Sequence, residues 1–344
     1  MSTQIDTAVD EVAAQATSML GRRYQLNDHY DVGREKIKEF AAAVQDSHPA
    51  HYQEADANSL GHSALVAPLT FTAILGGIAQ QRVFAQFLRY DLSQVLHTDQ
   101  RIQVHRPVYA GDSLNCQIAL ASFRQGHGQD SFVFETDLVD RDGASVQTSW
   151  TTAVARTGGE IDENLARAAE TVMMSRAAPP DRVVPVPGDG SAPPRAVAEG
   201  YVPRPQRAYS DVRVGDELPS QVYRLSRGDL VNYAGVAGDR NPIHWSDHIA
   251  GLVGLDKVVA HGMLTMGIGA SYLTSLLGDP GAVADYGVRF SSPVFVGSDE
   301  PATIEIASKV KAVDDDARTA TIALRATAAG KRIFGRAEAT VHLA

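Results

Sequence analysis

Asp239 and His244 stand five positions apart in "AGDRNPIHW" (Ala237–Trp245), with Asn241 and Pro242 between them. A carboxylate and an imidazole that share one water or one hydroxyl form an acid/base pair usable near neutral pH. Pro242 disfavours helical geometry at Asn241, so the segment must bend, and a bent loop can turn both side chains toward one point. Gly238 would let the backbone pass close to a ligand. Further on, "VVAHGMLTMG" opens a long apolar stretch at His261-Gly262. If that stretch is helical, the amides of its first turn lack intrahelical partners and, with the helix dipole, favour a developing oxyanion. Glycine at 262 would let an acyl carbonyl approach that amide. Such a set suits adding or removing water next to an acyl carbonyl, where enolate stabilisation acidifies the α-proton. No serine or cysteine sits at a recognisable nucleophile elbow, which disfavours covalent catalysis.

The arrangement occurs twice. In "VQDSHPAHY" (Val44–Tyr52) Asp46, Pro49 and His51 repeat the spacing of Asp239, Pro242 and His244, and Gly61 matches Gly254 in the same register. The run continues through "LVAP" (Leu65–Pro68) against "VVAH" (Val258–His261), and after one shortened loop "RPVYAGD" (Arg106–Asp112) faces "SPVFVGS" (Ser292–Ser298). So many matches in one register indicate internal duplication. The first copy differs in two places: His48 replaces Asn241, and Pro68-Leu69 replaces His261-Gly262. Asp46 and His51 are therefore candidates for a vestigial second site, with the electrophilic donor blocked by a leucine side chain. Ser226 with Asp229 reads as a capping box opening a helix over Arg227–Ala237, matched by one over Arg34–Val44. A longer apolar helix follows each loop, over Leu69–Leu88 and Gly262–Leu277. Alternating segments close each half, for example "SFVFETDLVD" and "ARTATIALRAT". One long helix followed by several antiparallel strands predicts a sheet wrapped around that helix. Two such units could pair their sheets edge to edge and leave an apolar tunnel beside a helix.

Length and composition set the frame. The chain has 344 residues, 44% hydrophobic and 21% charged, which suits an ordinary globular protein of two domains. A net charge of −10 disfavours nucleic-acid and membrane-surface partners, which call for a basic face. One cysteine, Cys116, makes neither an internal disulfide nor a structural zinc site. The start "MSTQIDTAVDEVAAQATSML" lacks a basic region followed by an apolar one, and no window reaches the length of a membrane span. A cytoplasmic location without a membrane span is the expectation. Half of the chain's sixteen prolines fall within Arg176–Gln206, which predicts an extended connector. The expected division is a first domain over 1–160, a proline-rich linker over 161–208 and a second domain over 209–344. Arg22, Arg23, Arg34 and Lys36 form a candidate patch for an anionic carrier.

The run "YAGVAGDRNPIHW" (Tyr233–Trp245) followed by "AHGML" closely resembles the motif of the MaoC-like (R)-specific enoyl hydratases. "YDVGREKIKEFAAAV" and "LVAPLTF" in the first half look like the partner subunit of the Had-type 3-hydroxyacyl-ACP dehydratases of type II fatty acid synthase. The resemblance covers both halves apart from the connector and implies the two subunit types fused in one chain. It implies an α+β double hot dog in which the second half catalyses and the first accommodates the acyl chain. The family's dyad falls on Asp239 and His244 and its oxyanion amide on Gly262, with Asn241 and His261 beside them. A helix serine of some members falls at Ala270, next to Ser271. The implied reaction is reversible syn elimination of water from (R)-3-hydroxyacyl thioesters, carried on acyl carrier protein or CoA, to the trans-2-enoyl form. Other type II fatty acid synthase enzymes are the implied partners, and no metal or redox cofactor is required. A hot-dog thioesterase would normally place a carboxylate on the central helix, and Gly262–Leu277 has none. A non-catalytic acyl-binding scaffold would not need an intact "GDRNPIH" with "HG".

Overall fold

The structure is a computed structural model that describes residues 13–88, 90, 95–126, 128–156, 163–173, 182–186 and 201–344. The first half holds α1 (13–19), β1 (Arg23–Leu26), β2 (Tyr30–Asp31), α2 (Arg34–Ala43), α3 (Glu54–Ser59) and α4 (Ala73–Val83). Strands β3 (Leu96–Val104), β4 (Ser113–Gly126), β5 (Gln129–Val139) and β6 (Ser145–Arg156) complete it. Of the connector, α5 (Glu163–Val172) and β7 (Val183–Pro185) are described. The second half repeats the plan with β8 (Glu217–Leu225), α6 (Arg227–Ala237), α7 (Asp247–Leu252) and α8 (Gly262–Leu277). Strands β9 (Val283–Phe290), β10 (Ala302–Asp314), β11 (Thr319–Ala328), β12 (Lys331–Arg332) and β13 (Phe334–His342) follow.

The two sheets join edge to edge. Strand order runs β7-β1-β4-β5-β6-β3-β9-β13-β11-β10-β8 within one sheet, and the seam is the antiparallel pair β3–β9, with Asp99 opposite Arg289 and Ile102 opposite Tyr286. This is the expected α+β double hot dog. The alternation of the long strands is that of a half-buried sheet, as in β5, where Asp130, Phe132, Phe134 and Thr136 are buried and Ser131, Val133 and Glu135 between them are half-buried. Helix α8 is apolar on all sides and buried from Leu264 to Thr274, as a helix wrapped by a sheet must be. No described helix is long and apolar enough to cross a membrane.

One expectation changes. The first half's long helix does not start at Leu69: residues 69–72 form turns, α4 begins at Ala73, and the chain passes into a π-helical turn at Phe84–Leu88. Residues 69–72 close short turns, with Phe71 N–H on Pro68 O and Ala73 N–H on Thr70 O. Within 161–208, α5 precedes the proline-rich run and β7 pairs with β1 as an extended edge strand. Pro185 ends β7 on the sheet's outer edge, where a missing donor costs nothing. Pro179, Pro180, Pro187, Pro193 and Pro194 lie outside the described residues.

Candidate active site

The loop that carries Asp239 is set by the helix before it. Ser226 and Asp229 form the expected capping box at the start of α6, and Gly238 ends the helix in the left-handed region at φ 77°. A Cβ at Gly238 would meet no protein atom within 4 Å, so the positive φ is the requirement for glycine that the fold itself sets there. Asp239 Oδ1 then accepts the Asn241 N–H at 3.3 Å, and Asn241 Oδ1 accepts the Ile243 N–H at 3.2 Å. Pro242–His244 is one turn of 3₁₀-helix. Asn241 thus shapes the turn that presents His244.

His244 is buried, and its Nδ1 donates to Val259 O at 2.7 Å, which leaves Nε2 as the lone-pair nitrogen. Burial lowers its pKa and the Asp239 carboxylate partly restores it. His261, fully buried, stacks on His244 with ring centroids 3.7 Å apart. Its Nε2 donates to the backbone oxygen of Asp239 at 3.3 Å, and Tyr233 backs it at 5.0 Å. Burial pushes the His261 pKa down to about 3, with the neighbouring His244 adding to the effect, so the ring is neutral in the working range. Ligand atoms of Asp239, His244 and His261 all lie within 4.8 Å of one another. The two imidazole planes differ by only 26°, so their lone pairs run side by side and do not converge as chelating ligands do.

Gly262 is the first residue of α8 with His261 as N-cap, as expected. The amides of Leu264 and Thr265 return to His261 O, while those of Gly262 and Met263 donate to no described residue. Glycine is needed here for a reason the sequence did not show: a Cβ would press on the Phe290 ring at 3.3 Å. Phe290 in turn meets His97 of the first half at 5.2 Å. Neither Phe290 nor His97 was legible as a site residue, because β3 and β9 meet only through the seam.

Ser271 does not join this cluster. It lies nine residues further on, about 13 Å along the helix, and its hydroxyl donates to Gln45 O of the first half at 3.0 Å. At that point it bridges the two halves. The patch Arg22, Arg23, Arg34 and Lys36 is likewise mostly spent: Arg23 pairs with Glu135 at 2.7 Å, Arg34 with Glu54, and Lys36 with Glu39 at 3.7 Å.

The first copy keeps the loop. His48 N–H donates to Asp46 Oδ1 (3.1 Å), Ala50 N–H donates to His48 Nδ1 (3.2 Å), and His51 Nδ1 donates to Val66 O (2.7 Å), each matching a bond of the second copy. Asp46 and His51 are both buried and in direct contact at 3.3 Å. A small cleft lies nearby, lined by Leu69, Thr72, Val104, Gln147, Gly281 and Val283. The connector's end packs beside it: Tyr201 stacks on His62 at 5.4 Å, and a Cβ at Gly281 would strike Tyr201 and His62. Asp279 holds this region together, accepting from His62 Nε2 (2.9 Å), Tyr201 OH (3.0 Å), Arg204 N–H (2.7 Å) and Gly281 N–H (2.8 Å).

Comparison with known proteins follows the same division. Residues 18–149 match the FAS1-like dehydratase domain region, and residues 211–328 match the MaoC-like domain. A solved MaoC-like dehydratase is 42% identical, with a TM-score of 0.87 over 96% of this chain and all of that one. The chain belongs to the MaoC-like dehydratases. This MaoC-like dehydratase is also similar to a UPF0336 protein of Mycobacterium tuberculosis, 41% identical over 162 residues, which are 47% of this chain and 95% of the relative. A UPF0336 protein of Mycobacterium leprae is 40% identical over 162 residues, again 47% of this chain and 95% of the relative. A Mycobacterium tuberculosis protein described as having a double hotdog fold shares the fold at 16% identity and a TM-score of 0.61, over 92% of this chain and 96% of that one. The dehydratase is thus a hydro-lyase with two dehydratase units in one polypeptide.

Proposed function

We propose that this chain reversibly removes water from (R)-3-hydroxyacyl thioesters to give trans-2-enoyl thioesters, within type II fatty acid or long-chain lipid synthesis, at one site in the second half. The observation that carries the proposal is the meeting of the Asp239 carboxylate and the His244 imidazole within 4.8 Å, beside the free first-turn amides of α8. In dehydration, His244 Nε2 takes a proton from C2, and the Gly262 amide with the helix dipole holds the enolate charge on the thioester oxygen. The enolate pair becomes the C2=C3 bond as the C3–O bond breaks with its electrons. Asp239 stands by the departing hydroxyl, and the dyad returns one proton to it, so water leaves and the pair ends as it began. Elimination of water is redox-neutral, and no electron carrier enters the balance.

We assign chain accommodation to the first half. Supporting this, a Cβ at Gly77 on α4 would meet nothing within 4 Å, whereas Gly267 and Gly269 on α8 are filled by Val44 and Tyr286. Carrier protein and CoA present the same thioester, and either serves this chemistry. The test is incubation with crotonyl-CoA and longer trans-2-enoyl thioesters, following enoyl absorbance and trapping the product with an (R)- or (S)-specific dehydrogenase. Loss of absorbance with an (R)-product is expected. A free thiol would mean a thioesterase, and unchanged absorbance a binding protein.

A further inference from the structure

The carbonyl oxygen of the dyad's aspartate is tied down in both copies of the repeat, by different donors. In the first copy the Tyr52 hydroxyl donates to Asp46 O at 3.0 Å. Trp245 stands in the place of Tyr52 in the second copy, and its indole N–H turns to Arg240 O at 3.4 Å. There the Asp239 oxygen accepts from His261 Nε2 at 3.3 Å instead, at the start of α8. Pro68 fills the position of His261 in the first copy and has no donor to offer. The backbone before this point is alike in the two copies: Gln45 and Gly238, the residues before each aspartate, both lie in the left-handed region, at φ 55° and 77°. The next carbonyl falls outside the helical ladder and needs a donor from elsewhere.

What separates the two solutions is the other face of the donating side chain. The His261 ring lies on His244 at 3.7 Å between centroids, with the planes 26° apart, and Tyr233 backs it at 5.0 Å. A backbone oxygen only accepts, so the His261 proton sits on Nε2. Its Nδ1 is buried and has no hydrogen-bond partner among the described residues. A second proton there would add a buried charge with no acceptor to meet it, so the ring holds one proton. Leaving a buried nitrogen unpartnered has its own cost, and a tyrosine placed like Tyr52 would hold the carbonyl without it. We propose that His261 is the positioning residue of this site: its Nε2–H fixes the main chain of Asp239 while its ring face seats the imidazole of His244, so one side chain sets acid against base. This rests on the hydratase reading above. His261 keeps its proton throughout, since one nitrogen is spent on Asp239 O and the other is buried.

The experiment measures hydration of crotonyl-CoA by the full chain as wild type, Asp239→Asn, His261→Phe and His261→Asn, and by each His261 variant combined with Trp245→Tyr. Phenylalanine keeps the ring face and removes the N–H. Asparagine caps a helix well and is too short to reach the carbonyl. Trp245→Tyr rebuilds the first copy's tie in the second. Rates are read at a temperature where thermal unfolding shows every variant folded. Misplacing a reacting group by about 1 Å costs on the order of a hundredfold, so both single variants should lose about ten- to a hundredfold in kcat with KM within about threefold of wild type. Adding Trp245→Tyr should restore a large part of kcat, more fully in His261→Phe, where the ring face remains. Wild-type kcat in either folded single variant, a loss confined to KM, or a loss that Trp245→Tyr leaves unchanged in both backgrounds would overturn the proposal while leaving the hydratase reading intact. An inactive wild type, or a fully active Asp239→Asn, would sink the reading itself and this inference with it.

Discussion

The Nδ1 of His244 lies 2.7 Å from the carbonyl oxygen of Val259, and this one bond decides which ring nitrogen faces Asp239. It fixes the tautomer, so the lone pair at Nε2 is available without any rearrangement.

A pH profile follows from it. The base form of His244 is neutral, and burial lowers its pKa below the ordinary value despite the nearby Asp239. Activity is therefore full above that pKa and falls as pH drops through it. The acid limb of kcat/KM for the free enzyme should lie below pH of about 6.5, the value of an unperturbed histidine. A limb above that value would contradict the assignment of His244 as base.

His261 gives a stability signature separate from activity. Its folded pKa of about 3 is depressed relative to the unfolded chain, so the neutral form is the one the fold favours. Stability is fully present above the unfolded pKa and is lost as pH falls from there toward 3, at about 1 kcal/mol per pH unit. Chemical denaturation from pH 7 to 4 should show a shallower decline in His261→Phe than in wild type. Identical slopes would show that this ring does not resist protonation.

How much of this the sequence disclosed can be judged residue by residue. Asp239, His244, His261 and Gly262 sit close together because local rules put them there: a capped helix, a left-handed glycine, an Asn-Pro bend and a helix start. All of those are encoded within a few neighbours. The bond from Ser271 to Gln45 was not legible, because Gln45 comes from the other half. His97 and Phe290 stayed hidden for the same reason, since their adjacency exists only once β3 pairs with β9. The late start of α4 at Ala73 was also illegible, because "PLTFTA" is apolar in a turn as in a helix.

The Asp46–His51 pair should prove structural. Both side chains are buried, and Leu69 opens no helix. Asp46→Asn should keep kcat within about threefold while lowering stability by about 1–3 kcal/mol, the cost of leaving a buried polar group poorly partnered. Turnover of crotonyl-CoA and urea unfolding on the same sample check both. A hundredfold loss of kcat without a stability change would mean that the first copy works.

Gly262→Ala tests steric fit at the helix start. The added methyl would stand 3.3 Å from the Phe290 ring, so the ring must give way at the helix start where the acyl carbonyl is proposed to sit. A loss of kcat/KM on the order of tenfold is expected, in line with the typical 1–3 kcal/mol cost of overpacking. Trimming the ring in the double variant with Phe290→Leu should recover part of it, and additive losses in the double-mutant cycle would rule out the contact as the cause.

Asp279 is where the connector, the first half and the second half meet. Burial alone would raise its pKa, but the His62 hydrogen bond and the Arg204 and Gly281 amides outweigh burial and hold the carboxyl below its usual range. A depressed carboxylate pKa contributes stability that is present above the unfolded value and lost as pH falls through the folded one. Asp279→Ala strands His62, Tyr201 and two backbone amides in a dry setting, and removing one member of a buried pair costs about 3–5 kcal/mol. The unfolding temperature should therefore drop well beyond that of Asp46→Asn, and proteolysis between 201 and 206 should accelerate because Tyr201 and Arg204 lose their anchor. An Asp279→Ala protein with wild-type stability and wild-type cleavage would show that the connector is held elsewhere.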